Sequence, residues 1–390
     1  MMPTVRPLLA ALLTAAAAAL PACQAPTAPQ TEAAAPAAAA APAALAAATP
    51  APALPDTART GLAPRLLATF PDSLNTPDGL ALAPDGRVYL SVPNLADNRY
   101  PAQIVELTAT GYRPFLSRLP PEPSTGKAAP MDLAFGPDGN LYYAENQYEN
   151  DKNFKSRLLR VTMKNGRPGA ISVVADHFGL ANAVLWKGNT LYVTDSQWDR
   201  PNNNNGSAIF HFTLAELNRG PVHLRPRTTD AHELAYFTTV KNETGVDNGA
   251  DGLDYDSRGN LYTGSFGDGT LYKISLKPDG TLARQEALAL TGKKIPCVDG
   301  LVIDRKTDKM YLCNSRDNAI EVVDLRHGNA VSTLAQNGDT DGTGGQLDQP
   351  AEVLLKGTQL IVTNFDKPEK KFVNTKSDAP HTESVISMSE

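Results

Sequence analysis

Six polar positions recur along the chain, at Asp78, Met131 or Asp132, Asn182, Asp251, Asp299 and Glu352, with separations of 53, 51, 69, 48 and 53 residues counted through Met131. Each opens a short apolar run. If the six runs converge, carboxylates and one amide gather at a point with no basic residue at an equivalent position, and they repel one another unless a cation or shared protons compensate. Hard oxygen donors suit a divalent cation, calcium first, with magnesium, manganese or zinc as alternatives. The lack of His and Cys in the set argues against zinc. Asp251 or Asp299 would then take a proton from an attacking water. An acid before Gly, as in Asp78-Gly79 and Asp251-Gly252, could equally accept backbone N–H bonds from a neighbouring strand. His177 and His381 add two groups that titrate near neutrality; His177 is expected at the end of a fourth strand close to Asn182, as an acid or base. No G-x-S-x-G elbow occurs, so a serine nucleophile of that kind is not part of the expectation.

The elements that must position these residues are strands. Pro77-Asp78-Gly79-Leu80-Ala81-Leu82, a Pro84-Asp85-Gly86 turn and Val88-Tyr89-Leu90 form one unit. Met131 to Phe135, Pro137-Asp138-Gly139 and Leu141-Tyr142-Tyr143 form the next, and similar units begin at Asn182, Asp251, Asp299 and Glu352. Periods near 50 residues indicate propeller blades rather than helical repeats. The Asp-Gly and Gly-Asn signals are tight-turn chemistry joining first strands to second strands. Third strands are predicted at Ile104–Leu107, Leu158–Met163, Ala208–Leu214, Thr270–Leu276, Ala319–Leu325 and Ser384–Ser389, and fourth strands around Phe115, Val173, Tyr236, Ala287 and Val331. The sixth unit lacks a fourth strand, while Arg65 to Phe70 is an unassigned apolar strand ahead of the first. The expected fold is therefore all-β: a six-bladed β-propeller with four strands per blade, its last blade completed by the N-terminal strand near Leu66.

Strand direction places the long loops Asn94–Ala102, Asn146–Ser156, Ser196–Ser207 and Asn364–Glu383 on one face, which makes the channel mouth there the expected site. Trp198 and Tyr148, in two of these loops, could stack on a sugar ring. Asn337-Gly338-Asp339-Thr340-Asp341-Gly342 with Asp348 has calcium-loop spacing but no flanking helices, and reads as a blade connector.

Asn182-Ala183-Val184-Leu185-Trp186 and Ala250-Asp251-Gly252-Leu253-Asp254-Tyr255-Asp256, each followed by a Tyr-containing strand, resemble the senescence-marker-protein (regucalcin) and gluconolactonase family. The resemblance covers roughly Arg65 to Glu390 and implies a six-bladed propeller that binds one divalent cation at the channel mouth and hydrolyses sugar lactones. It implies Asn182 as a metal ligand and Asp251 as both ligand and base. Asp78 stands where the family has a Glu, one methylene longer, and Glu352 beside it could supply the reach. Whether Met131 or Asp132 faces the channel is open. The segment before Glu352 resembles the blade connectors of NHL-repeat propellers. Two functions compete: a metal-dependent lactonase, and a non-catalytic propeller that binds a small ligand or an envelope protein.

The chain of 390 residues carries 36 Lys+Arg against 42 Asp+Glu, a formal net charge of −6, which argues against a nucleic-acid partner. Arg6 precedes an apolar run from Leu8 to Leu20, too short to span a bilayer, that leads into Leu20-Pro21-Ala22-Cys23, similar to a bacterial lipobox. The expected organisation is a signal peptide over 1–22, a disordered Ala/Pro-rich tether over 23–63 lipidated at Cys23, and the propeller over 64–390. This implies a monomer in the bacterial cell envelope, exported and held to the membrane by its lipid alone. Cys297 and Cys313 are predicted to stay free, because hairpin register puts Cys313 opposite Gly300 and Cys297 opposite Arg316.

Overall fold

The computed structural model describes residues 60–240 and 244–388. The expected signal peptide, the lipidated Cys23 and nearly all of the tether lie outside the described residues.

The turn and strand signals give six four-stranded antiparallel blades. Blade 1 is Leu80–Leu82, Val88–Val92, Gln103–Thr108 and Gly111–Leu116. Blade 2 is Pro130–Phe135, Leu141–Glu145, Ser156–Lys164 and Arg167–Phe178, and blade 3 is Ala181–Lys187, Thr190–Asp195, Gly206–Thr213 and Glu233–Thr238. Blade 4 is Ala250–Tyr255, Leu261–Ser265, Leu271–Leu276 and Leu282–Ala287; blade 5 is Leu301–Asp304, Lys309–Asn314, Ala319–Asp324 and Ala330–Gln336. Blade 6 takes Pro350–Lys356, Gln359–Asn364 and His381–Ser387 from the C-terminal end, and Arg65–Phe70 closes it by pairing antiparallel to His381–Ser387.

Why six blades hold together is visible in the second strands. Val88–Val92, Leu141–Glu145 and Leu261–Ser265 are buried at every residue, because each lies in a sheet covered on both faces by its neighbours. Six apolar clusters form, one at each blade boundary: Tyr89 of blade 1 packs with Leu133 and Tyr143 of blade 2, and Tyr262 of blade 4 with Leu301 and Leu312 of blade 5. The seam between the ends of the chain has the same construction, with Phe70, Ile361 and Val385 of blade 6 against Leu90 and Val105 of blade 1. Each large side chain buried in this way contributes roughly 1.5–3 kcal/mol, so Phe70, 1% exposed, anchors the closing strand by the same kind of packing.

Two short strands were not anticipated. Thr60–Gly61 pairs with the outer strand of blade 5, opposite Gln336 and Ala335. Val222–His223 runs parallel to the outer strand of blade 2, with Asp176 opposite His223. Cys297 and Cys313 are free and buried, and the Cys313 amide donates to the Gly300 carbonyl at 2.9 Å in the expected register. Among the described residues no helix is long and apolar enough to cross a membrane.

Candidate metal centre and cavity at the channel mouth

First strands lead with a bulge. In blades 2, 3, 4 and 6 the pairing register slips at the same place, between Pro130 and Leu133, Ala181 and Val184, Ala250 and Leu253, and Pro350 and Val353. A bulge sets two residues against one and re-aims their side chains, here toward the axis. Gly252 has a packing reason: a Cβ there would sit 2.6 Å from the Asp299 carbonyl oxygen of the next blade. Gly79 is the same, with the Asp132 Cα at 2.3 Å.

Aligned through these pairs, Asp78, Met131, Asn182, Asp251 and Asp299 occupy one level, and all five line a cavity of about 530 Å³ with Leu95, Tyr148, Phe266 and Phe365. Met131, not Asp132, therefore faces this mouth. In blade 6 the level belongs to Ala351. Glu352 falls one residue further in, as does Asp132, and both line a separate cavity of about 310 Å³ with Asp254 and Arg305. The predicted ligands thus divide: Asp78, Asn182 and Asp251 share the mouth with the predicted base Asp299, and Glu352 belongs to the deeper level.

Burial dominates the electrostatics. Asp78 and Asp251 are pushed well above the ordinary carboxylate range, first by desolvation and then by the charge of Asp299. Glu352 is raised by burial and then by Asp132. Asp299 rises to about 7 by burial, against stabilising bonds from Ser315 and Asp251; the Ser315 hydroxyl donates to Asp299 Oδ2 at 2.9 Å. Asp132 plays the bridging part open to an acid at a strand entrance: its oxygens accept the Leu133 amide at 2.7 Å and the Val184 amide of blade 3 at 2.8 Å.

The residues at the mouth fit a hard cation. Asp78 Oδ2 is buried and has no hydrogen-bond partner, and no basic side chain stands at the ring's own level. As placed, no three of the ring carboxylates lie within 4.8 Å of one another, so Asn182 and solvent would complete the sphere around any two.

His177 is not brought to this cavity. It sits on the outer edge of blade 2, its Nδ1 3.2 Å from the Leu224 carbonyl oxygen. His381 is buried against Asp366 at 2.8 Å. Of the expected aromatic wall, Tyr148 lines the cavity, but Trp198 is fully buried, edge-on to Phe154 and Phe210 at 5.4 and 4.8 Å. Its loop packs down because the indole N–H reaches the Thr228 carbonyl at 3.3 Å and apolar burial outweighs exposure to the mouth. The Asn337–Asp348 segment is a connector: Asn337 Oδ1 accepts the Leu347 amide at 2.9 Å, and Asp339 accepts the Thr375 amide at 3.1 Å.

Sequence reasoning passed over Asn146, Phe266 and Phe365, each the residue directly after a second strand. Extending the repeat alignment by one position past that strand would have found all three. It also passed over Val246 and Asn248, from the connection between blades 3 and 4.

No family model matches the chain, and no curated protein matches it. Solved structures do, as six-bladed propellers of low identity. Regucalcin of Agrobacterium tumefaciens, a calcium-binding protein, aligns with TM-score 0.53 at 13% identity over 84% of this chain and 94% of its own. A protein provisionally named a gluconolactonase gives 0.53 at 15% over 85% and 95%. The PQQ-bound aldose sugar dehydrogenase of Streptomyces coelicolor gives 0.52 at 16% over 86% and 99%. Proteins of different chemistry thus match equally well, so the likeness establishes the six-bladed fold, and the activity must be argued from the site.

Proposed function

We propose that this chain is an exported, lipid-anchored hydrolase that opens a sugar lactone or related lactone with a divalent cation, calcium first, at the channel mouth. The observation that carries the reading is the buried trio Asp78, Asn182 and Asp251 with half-buried Asp299 around one cavity, with an orphaned oxygen on Asp78, while the lysines that line the cavity are engaged elsewhere, Lys152 over Tyr148 and Lys367 with Glu149. Asp78, Asn182 and Asp251 would hold the cation, which when bound would supply a Lewis acid that polarises the lactone carbonyl. Asp251 accepts the proton of the attacking water, and the ring C–O bond breaks as the leaving oxygen takes a proton back from the Asp251–Asp299 pair. The Ser315 hydroxyl fixes the orientation of Asp299. Asn182 offers the pair a neutral oxygen, which adds no further repulsion. Leu95, Tyr148, Phe266 and Phe365 give the cavity an apolar wall, and its volume lies in the range of small-molecule sites. A monomer acting on a small molecule at the cell envelope fits this reading.

Met131 favours the second reading, a non-catalytic propeller for a small ligand or envelope partner, because it brings no hard ligand to the ring. One experiment separates them. With calcium or manganese the protein turns over gluconolactone or another lactone of a panel, and Asp251→Ala lowers that rate by at least about a hundredfold. Metal-dependent stabilisation without turnover on the panel would leave the binding module.

A further inference from the structure

We infer that Asp176, His177 and His223 form a second metal site, for zinc or a similar transition ion, which staples blade 3 to the outer edge of blade 2. The three residues each offer a ligand atom, and these atoms lie within 4.8 Å of one another. His223 Nδ1 is 2.7 Å and His177 Nδ1 3.6 Å from Asp176 Oδ1. A tetrahedral zinc with bonds of about 2.0–2.1 Å holds neighbouring ligand atoms about 3.3 Å apart, a spacing the two distances bracket. Two imidazoles and one carboxylate are the donor set of zinc and its neighbours in the first transition row, not of calcium.

The backbone explains how three such residues meet. Successive side chains of a strand point to opposite faces, so the neighbours Asp176 and His177 should diverge. Instead the register slips between Asp176 and Phe178, and His177 takes a left-handed φ of 68°, a conformation that is costly for a residue other than Gly. That turn brings its ring back to the side of Asp176. His223 arrives from the connection between the third and fourth strands of blade 3. The two-residue strand Val222–His223 adds to blade 2 in parallel, directly opposite Ala175 and Asp176. The imidazole rings stand 5.8 Å apart, half exposed and open to solvent ions. Binding exchanges the contact of His177 Nδ1 with the Leu224 carbonyl for a bond to the ion. The site shares no residue with the channel mouth.

The test is calorimetric titration of the full chain with zinc chloride in an Asp251→Asn background, which disables the ring. One zinc per chain is expected, with a rise in melting temperature, while calcium chloride gives neither. His177→Gln and His223→Gln should each weaken zinc by at least about tenfold. Cobalt in place of zinc should give visible absorption bands that vanish in the same variants. His223→Gln should leave lactone turnover and the calcium response of the intact ring unchanged. Zinc bound equally well by both Gln variants, or no saturable zinc binding, would overturn the proposal.

Discussion

Buried acids occur in two settings that treat charge in opposite ways. Within the blades several have a cation to hand: Glu145 is fully buried against Arg157, Glu106 meets Arg113 at 2.7 Å, Glu321 meets Lys293 at 2.5 Å, and Asp308 meets Arg326 at 2.9 Å, whereas Glu383 of blade 6 is buried with neither oxygen paired. At the channel mouth Asp78, Asp251 and Asp299 face one another with no such partner. The first arrangement compensates desolvation inside the protein. The second leaves it uncompensated, which is tolerable where something from outside supplies the positive charge.

Breaking the paired setting should cost the most. Arg157→Ala strands a buried Glu145 and is expected to destabilise the protein by about 3–5 kcal/mol, read from the urea midpoint and not rescued by calcium. The unpaired setting should respond with the opposite sign. Asp251→Asn removes a repelled charge, so the metal-free protein at pH 8 should gain about 1–3 kcal/mol while its calcium-induced rise in melting temperature disappears.

Acidity sharpens the contrast. The folded chain keeps the Asp299 proton to about 7, against an ordinary 3.8, and Asp132 behaves alike. Their contribution is therefore fully present below about pH 4 and is lost as pH rises through 7, at about 1.4 kcal/mol per pH unit for each proton released. Melting curves of metal-free protein should trace that decline, and Asp251→Asn should flatten it. The smallest effect belongs to the rim, where Lys367 meets Glu149 at 2.8 Å. Lys367→Ala should change stability by less than about 1 kcal/mol.

Much of this was legible in the chain itself, because the turns between first and second strands carry Asp-Gly and Gly-Asn signals whose spacing counts the blades. The lone strand Arg65–Phe70 and the short sixth unit together gave the closure. What was hidden was a matter of single residues. A bulge at the head of the first strands of blades 2 and 6 decides whether Asp132 or Met131, and Glu352 or Ala351, faces the mouth, and one inserted residue moves a side chain to another level without altering the hydrophobic pattern. Trp198 misled for a different reason. A loop rich in Asn reads as solvated, yet its indole finds a pocket between Phe154 and Phe210 that only the packed blades create. The added strand Val222–His223 is too short to leave any periodicity at all.

The strand Arg65–Phe70 lies only a few residues beyond Thr60–Gly61, where the described chain begins. A cut upstream of Thr60 would leave all six closed blades intact. A cut between Phe70 and Leu80 would part the closing strand from blade 1, and its loss would leave His381–Ser387 as a bare edge, open to pairing with another molecule. The closure of the sixth blade is thus decided by the place of a single scission, within about twenty residues of sequence.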